Sequence, residues 1–283
     1  MAGRKRVRLS KISTLHYIKL VGRSLLFAGA LVLYILSKAF PDLQARGRAF
    51  SEIPRDPYFV GGICLVFLLE MLLRFFPSDW ESMGCQKQFG KNFIPTDIKK
   101  PPKTSPWPVF FIAVAWLTLN GAIGVLYLTG LIDRGILMLL CLAYSVCDMI
   151  CILFFCPFQT WFMKNKCCGT CRIYNWDFAM MFTPLVFIPE YPYTWVLLGT
   201  SLLLLLYWEF MAHLRPERFS EATNGCLSCS HCKEKLCHHK TQLRSFLKKH
   251  AELLVVKGTA VVKKAKGVKN RLKKRRPGRR NRK

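Results

Sequence analysis

Four cysteines stand within one short stretch near the C-terminal side of the chain: Cys226, Cys229, Cys232 and Cys237. Deprotonated thiols at such spacing can wrap one soft cation, either a tetrahedral zinc ion or an iron–sulfur cluster. The first three match the C-x2-C-x2-C opening of ferredoxin-type runs. The fourth departs from it, with four intervening residues and His238 where proline is usual. Zinc needs no such context, and His231 or His238 can replace a thiolate. The competing reading is a linker of reduced thiols with no metal. A second group, Cys167, Cys168 and Cys171, holds a C-x2-C between Lys164, Lys166 and Arg172. That spacing suits a dithiol or half a zinc site, so Cys168 and Cys171 are candidates to join Cys226 and Cys229 around one ion.

A third set consists of polar residues inside apolar runs: Glu70 and Arg74, Asn120, Asp148, and Glu209 with His213. Charge in a bilayer is costly and marks function unless it is paired. Glu70 precedes Arg74 by four residues, and Glu209 precedes His213 by four, so each has a partner available on its own helix. Asp148 has no local cation. Tyr144 and Cys151 share its helix face, and Asn120 is placed to meet it from a neighbouring helix. Two uses are open for Asp148: a polar tie between helices, or a transport or proton site with Asn120.

These residues need membrane elements to position them. Apolar residues make up 52% of the 283 and Phe alone numbers 21, although the chain carries a net charge of +27. The fold expected is an all-α integral membrane protein of about six hydrophobic helices (five to six spans). Apolar segments run over Tyr17–Ser37, Pro57–Phe76, Trp107–Leu131, Gly135–Phe158, Phe178–Ile188 and Val196–Phe210. The fifth is short and interrupted by Pro184, so it either spans or is re-entrant. Asp133-Arg134 and Glu190-Tyr191-Pro192-Tyr193 read as tight turns on the outer side.

Charge sets the orientation. Roughly half of the 43 Lys and Arg lie beyond residue 214, and another group precedes the first apolar run. Positive segments stay in the cytoplasm, which puts both termini there and requires an even number of crossings. The expected organisation is a basic N-terminus over 1–16, a multi-pass region over 17–214, a Cys/His-rich juxtamembrane segment over 215–240 and a basic tail over 241–283. That tail, part amphipathic helix and part disordered, suits anionic lipid headgroups of the plasma membrane; RNA or the ribosome is the other polyanion in reach.

The chain has no phosphate-cradling glycine loop, G-x-S-x-G or H-E-x-x-H, which argues against an enzyme of those classes. The function expected is a membrane-anchored interaction or scaffold protein with a thiolate metal module and a docking tail. A transporter or channel using Asp148 and Asn120, and a membrane redox protein, are the alternatives.

The string PFQTWFMKNKCCGTCRIYNWDFAMMF, within 156–182, resembles a segment of small, uncharacterised multi-pass membrane proteins of Gram-positive bacteria. SCSHCKEKLCHHKTQLRSF at 228–246 is similar to another. The resemblance implies the membrane class and a bacterial host, and it brings no activity, cofactor or site residue with it.

Overall fold

The computed structural model describes residues 11–40, 57–78, 80–98, 100–102, 105–165 and 168–228. The described residues form helices and no strands: α1 (Lys11–Ala39), α2 (Pro57–Leu73), α3 (Met83–Gln86), α4 (Trp107–Leu128), α5 (Arg134–Leu153), α6 (Asp177–Phe182) and α7 (Pro192–Leu214). Four of these, α1, α4, α5 and α7, are long and apolar enough to cross a membrane. Their outward faces carry Ile18, Leu25, Leu117, Val125, Leu202 and Leu203 in the open. Apolar surface on that scale suits lipid better than water.

Boundaries follow local chemistry. Helix α4 ends at Leu128 because Gly130 takes φ +76°. There the Leu131 N–H bonds to the Leu126 carbonyl and the Gly130 N–H to that of Tyr127, both at 3.0 Å. This pairing is the Schellman stop that glycine favours. Asp133 then caps α5 by accepting from the Ile136 N–H at 3.0 Å. Helix α5 stops at Leu153, earlier than the apolar run to Phe158 suggested. Pro157 has no N–H to give the Leu153 carbonyl and its ring crowds that carbonyl, which ends a helix whatever the hydropathy.

The short fifth segment is helical throughout. A 3-10 stretch (Arg172–Trp176), α6 and a second 3-10 stretch (Thr183–Phe187) follow one another directly. A 3-10 helix rises about 2.0 Å per residue against about 1.5 Å in an α-helix, so the run from 172 to 187 covers about 29 Å. Pro184 sits at the start of the second 3-10 stretch, where its missing N–H costs little. Phe178, Met181, Phe182, Leu185 and Ile188 are buried here, against Phe67 and Met71 of α2, Leu137 and Cys141 of α5, and Leu197 and Leu204 of α7. Protein surrounds this mixed helical run, the condition under which a bilayer would tolerate irregular backbone.

Contacts show which ends lie together. At one end, the rim, Lys38 reaches Asp133 (2.7 Å) and Arg134 reaches Glu190 (2.6 Å). At the other, the base, Tyr17 packs edge-on against Phe154, and Arg74, just past α2, binds Asp177 at 2.6 Å. Arg172 pairs with Glu209 near the end of α7. The segment from Arg172 to Glu190 therefore runs from base to rim, and α1 starts at the end where α7 finishes.

Candidate functional site

Two groups of buried ionisable residues gather near the base of the bundle. Arg23 of α1 is the hub of the first. Its Nη2 meets Glu70 of α2 at 2.5 Å, while its Nη1 meets Asp148 of α5 at 3.2 Å and the Ser145 carbonyl at 3.0 Å. Lys19, one turn earlier, adds a second cation to Glu70 at 3.2 Å. The guanidinium also lies over the Phe67 ring, 5.2 Å from its centroid. Arg74 is the hub of the second group. It binds Glu81 at 3.1 Å and Asp177 at 2.6 Å, and it lies 4.8 Å from the Phe178 ring centroid.

These contacts correct two sequence expectations. Glu70 does not pair with Arg74 on its own helix, nor is Glu209 held by His213. Glu209 instead accepts from Arg172 Nε at 2.9 Å and from the Trp176 indole at 2.7 Å. In each case a cation from a distant segment satisfies the carboxylate. The helix-spaced partner is left for another use or faces outward, because inter-helix pairing fixes packing as well as charge. Asn120, too, does not meet Asp148 in a hydrogen bond. Its Nδ2 donates to the Trp116 carbonyl at 3.0 Å, and its buried Oδ1 has no partner among the described residues. The sequence reading missed Arg23, which looked like flanking charge, and also Lys19, Glu81 and Asp177. The available signal was spacing: Lys19 and Arg23 stand one turn apart on α1, inside the apolar stretch.

A cavity of about 290 Å³ adjoins both groups. Asp148 and Asp177 border it, together with Trp116, Tyr144 and the thiols Cys147, Cys151, Cys156 and Cys171. Asp177 keeps one carboxylate oxygen, Oδ2, buried without a hydrogen bond among the described residues.

Below the bundle three loops fold into a cap. Asn224, fully buried, donates to the Lys87 carbonyl (3.1 Å) and the Arg218 carbonyl (2.9 Å). Its Oδ1 accepts from the N–H groups of Ile94 (3.3 Å) and Cys226 (3.1 Å). Gln88 donates to the Gly169 carbonyl at 2.7 Å and accepts from Asn175 at 2.6 Å. One side-chain amide thus joins 87–94 to 218–226 and the other joins 88 to 169–175, and each uses both its donor and acceptor sides. Cys85 is buried in the cap. Burial pushes its thiol well above the ordinary value, against the pull of the Arg74 guanidinium. At the rim, burial pushes the Asp133 carboxyl up, but hydrogen bonds from Lys38, the Ile136 N–H and Tyr34 outweigh it and hold the group below its ordinary value.

The cysteine candidates divide. Cys171 is buried beside Ile112 and Ile173, and Cys226 is half-buried after the Asn224 turn. Cys168 opens a short 3-10 turn. Cys229, Cys232, Cys237 and His238, and the whole basic tail, lie outside the described residues. Among the described residues, no three His, Cys, Asp or Glu side chains gather closely enough to hold a metal ion. No protein-family model matches the chain, and no curated protein or solved structure matches it either.

Proposed function

We propose that this chain is a six-segment plasma-membrane protein, both termini cytoplasmic, that serves as a membrane-anchored docking scaffold. The observation that carries this reading is the cap. Gln88 and Asn224 tie three base loops together and bring the chain out at Cys226, the root of the Cys/His-rich segment. A fixed exit point suits a module that must be presented at a set distance from the bilayer. From there the basic tail reaches anionic headgroups, each Lys or Arg adding about 1 kcal/mol near such a surface. The thiols of Cys226, Cys229, Cys232 and Cys237 hold one zinc ion in this scheme.

The test uses the full chain and a chain ending at residue 240, each in nanodiscs. The full chain should capture vesicles rich in phosphatidylserine, less well at high salt, and the shortened chain should not. Capture of RNA in place of vesicles would move the tail to the other polyanion. Purified protein should carry about one zinc per chain, lost when Cys229 and Cys232 are both changed to Ser; iron and visible colour would turn the reading toward redox chemistry.

A transport reading has one observation in its favour, the cavity beside Asp148 and Asp177. It requires that Asp148→Asn abolish a measurable ion or proton flux in proteoliposomes while leaving the protein folded.

A further inference from the structure

We propose that the cavity beside Asp148 and Asp177 binds a small protonated amine with an aromatic or apolar body. The inference rests on neither the docking reading nor the transport one, since it concerns binding at equilibrium.

The first ground is charge. In the ion pairs at the base, three cations (Lys19, Arg23 and Arg74) meet four carboxylates (Glu70, Asp148, Glu81 and Asp177). His16 of α1 spends its Nδ1 on the Ile12 carbonyl at 2.8 Å and makes no ion pair among the described residues. The two groups together thus hold one carboxylate more than they have cations. Buried charge without a partner is costly, which favours a monovalent cation over a neutral ligand beside them.

The second ground is where the unspent acceptors lie. Of the four carboxylates, Asp148 and Asp177 are the two that border the cavity. Each gives a single oxygen to its guanidinium: Asp148 Oδ2 to Arg23 at 3.2 Å, and Asp177 Oδ1 to Arg74 at 2.6 Å. The other oxygen of Asp177 is buried without a hydrogen bond among the described residues, on a side chain only 9% exposed. A buried acceptor in that state is destabilising until a donor reaches it. An ammonium N–H is such a donor, and it brings the missing charge with it.

The third ground is the wall. Trp116 and Tyr144 lie 4.8 Å apart between ring centroids, and the Trp116 indole is pinned by its bond to the Thr183 hydroxyl at 3.1 Å. Phe158 and Met180 also line the cavity. Ring faces attract a cation, and rings and thioether together suit its apolar body. A metal ion fits less well, because no three described His, Cys, Asp or Glu side chains gather closely enough to hold one. At about 290 Å³ the cavity stands at the small end of ligand pockets, roughly 300–1,000 Å³, with room for one ring and a short chain. Cys147, exposed on α5, borders it, so a path to it leads from outside the bundle.

The experiment takes the full-length protein in phosphatidylcholine nanodiscs near neutral pH and titrates radiolabelled phenethylamine, with empty nanodiscs as background. Expected is saturable binding of one amine per chain. Unlabelled phenethylamine should displace it, and 2-phenylethanol, the uncharged analogue of the same shape, should do so at least tenfold less well. Asp177→Asn and Asp148→Asn should each raise the half-saturating concentration at least tenfold, because either change cancels the excess charge. Size exclusion checks folding. If Asp177→Asn does not fold, Asp148→Asn carries the test, since Arg23 keeps Glu70 there. Trp116→Leu should raise the half-saturating concentration several-fold, and Glu190→Gln at the rim should leave it unchanged. Four results overturn the proposal: no binding above empty nanodiscs, 2-phenylethanol competing as well as the amine, sodium displacing the amine as effectively as unlabelled amine does, or undiminished binding by folded Asp148→Asn.

Discussion

At the scale of single residues, Arg23 decides how the charges are shared. It holds Glu70 and Asp148 at once, whereas Glu70 has Lys19 as well. Removing the hub is therefore worse than removing a spoke. Arg23→Leu should destabilise by about 3–5 kcal/mol, because it strips Asp148 of its described cation and leaves buried negative charge. Asp148→Asn should cost only about 1 kcal/mol, since Arg23 keeps Glu70 and asparagine still accepts a hydrogen bond. Unfolding in mixed micelles at rising denaturing-detergent fraction would order the two variants, and the reverse order would refute the hub assignment. Asp133 carries a pH dependence of known sign. Its carboxyl is held below its ordinary value in the folded chain, so its contribution is present above that value and is lost as pH falls through the lower folded one. Acidification to below the ordinary aspartate range should loosen the tie of Lys38 and Tyr34 to the rim, and Asp133→Asn should remove that acid sensitivity. Tyrosine fluorescence of a Tyr34-only variant would follow it. The roles of Asp148 and Glu70 as charges needing partners were legible in the sequence. Their partners were not, because Arg23 lies far away in the chain and only packing brings it near.

At the scale of elements, close approach explains what hydropathy leaves open. The fifth segment is short by α-helical measure, and its 3-10 ends stretch it. Stretching requires neighbours that come close. Gly124 of α4 supplies one: a Cβ added there would overlap the ring of Phe187. Trp116, two turns earlier, donates to the Thr183 hydroxyl at 3.1 Å. Gly124→Ala should therefore destabilise by about 1–3 kcal/mol as the ring is forced aside. Gly121→Ala is the control: nothing stands within 4 Å of its added methyl, and alanine is the better helix former. It should be neutral or stabilising by up to about 1 kcal/mol, read in the same micelle titration. Equal loss in both variants would mean that α4 resents any added methyl and that Phe187 is not its close neighbour. The apolar runs gave the long helices away to within a few residues. Their ends moved where Gly130 and Pro157 act, and both residues were visible as punctuation that hydropathy alone overrides.

At the scale of the whole molecule, the six-segment proposal rests on the base-to-rim course of residues 172–190. A re-entrant loop would return Glu190 to the side of Arg172 and leave five crossings, which would send the basic tail outward against its charge. In the bundle, Glu190 instead meets Arg134 at the rim while Arg172 meets Glu209 at the base. The sequence left this segment open because Pro184 and its length argue against a helix, and only burial among α2, α5 and α7 shows how it is accommodated. Accessibility in intact cells separates the two courses. Glu190 and Glu217 lie on opposite ends of α7, so a cysteine at each reports one side. With native thiols first blocked by a permeant reagent in a strain expressing the parent chain, the background for an impermeant maleimide is set. Against that background, Glu190→Cys should label in intact cells, and Glu217→Cys should label only after the membrane is opened. Reporter fusions at residue 4 and after Lys283 should both read cytoplasm. Labelling of Glu217→Cys in intact cells, together with an external signal from the C-terminal fusion, would reduce the chain to five crossings. It would place the Cys/His-rich segment where thiols oxidise and remove the inner leaflet from the reach of the tail. The docking scaffold therefore stands or falls on one short, stretched helix.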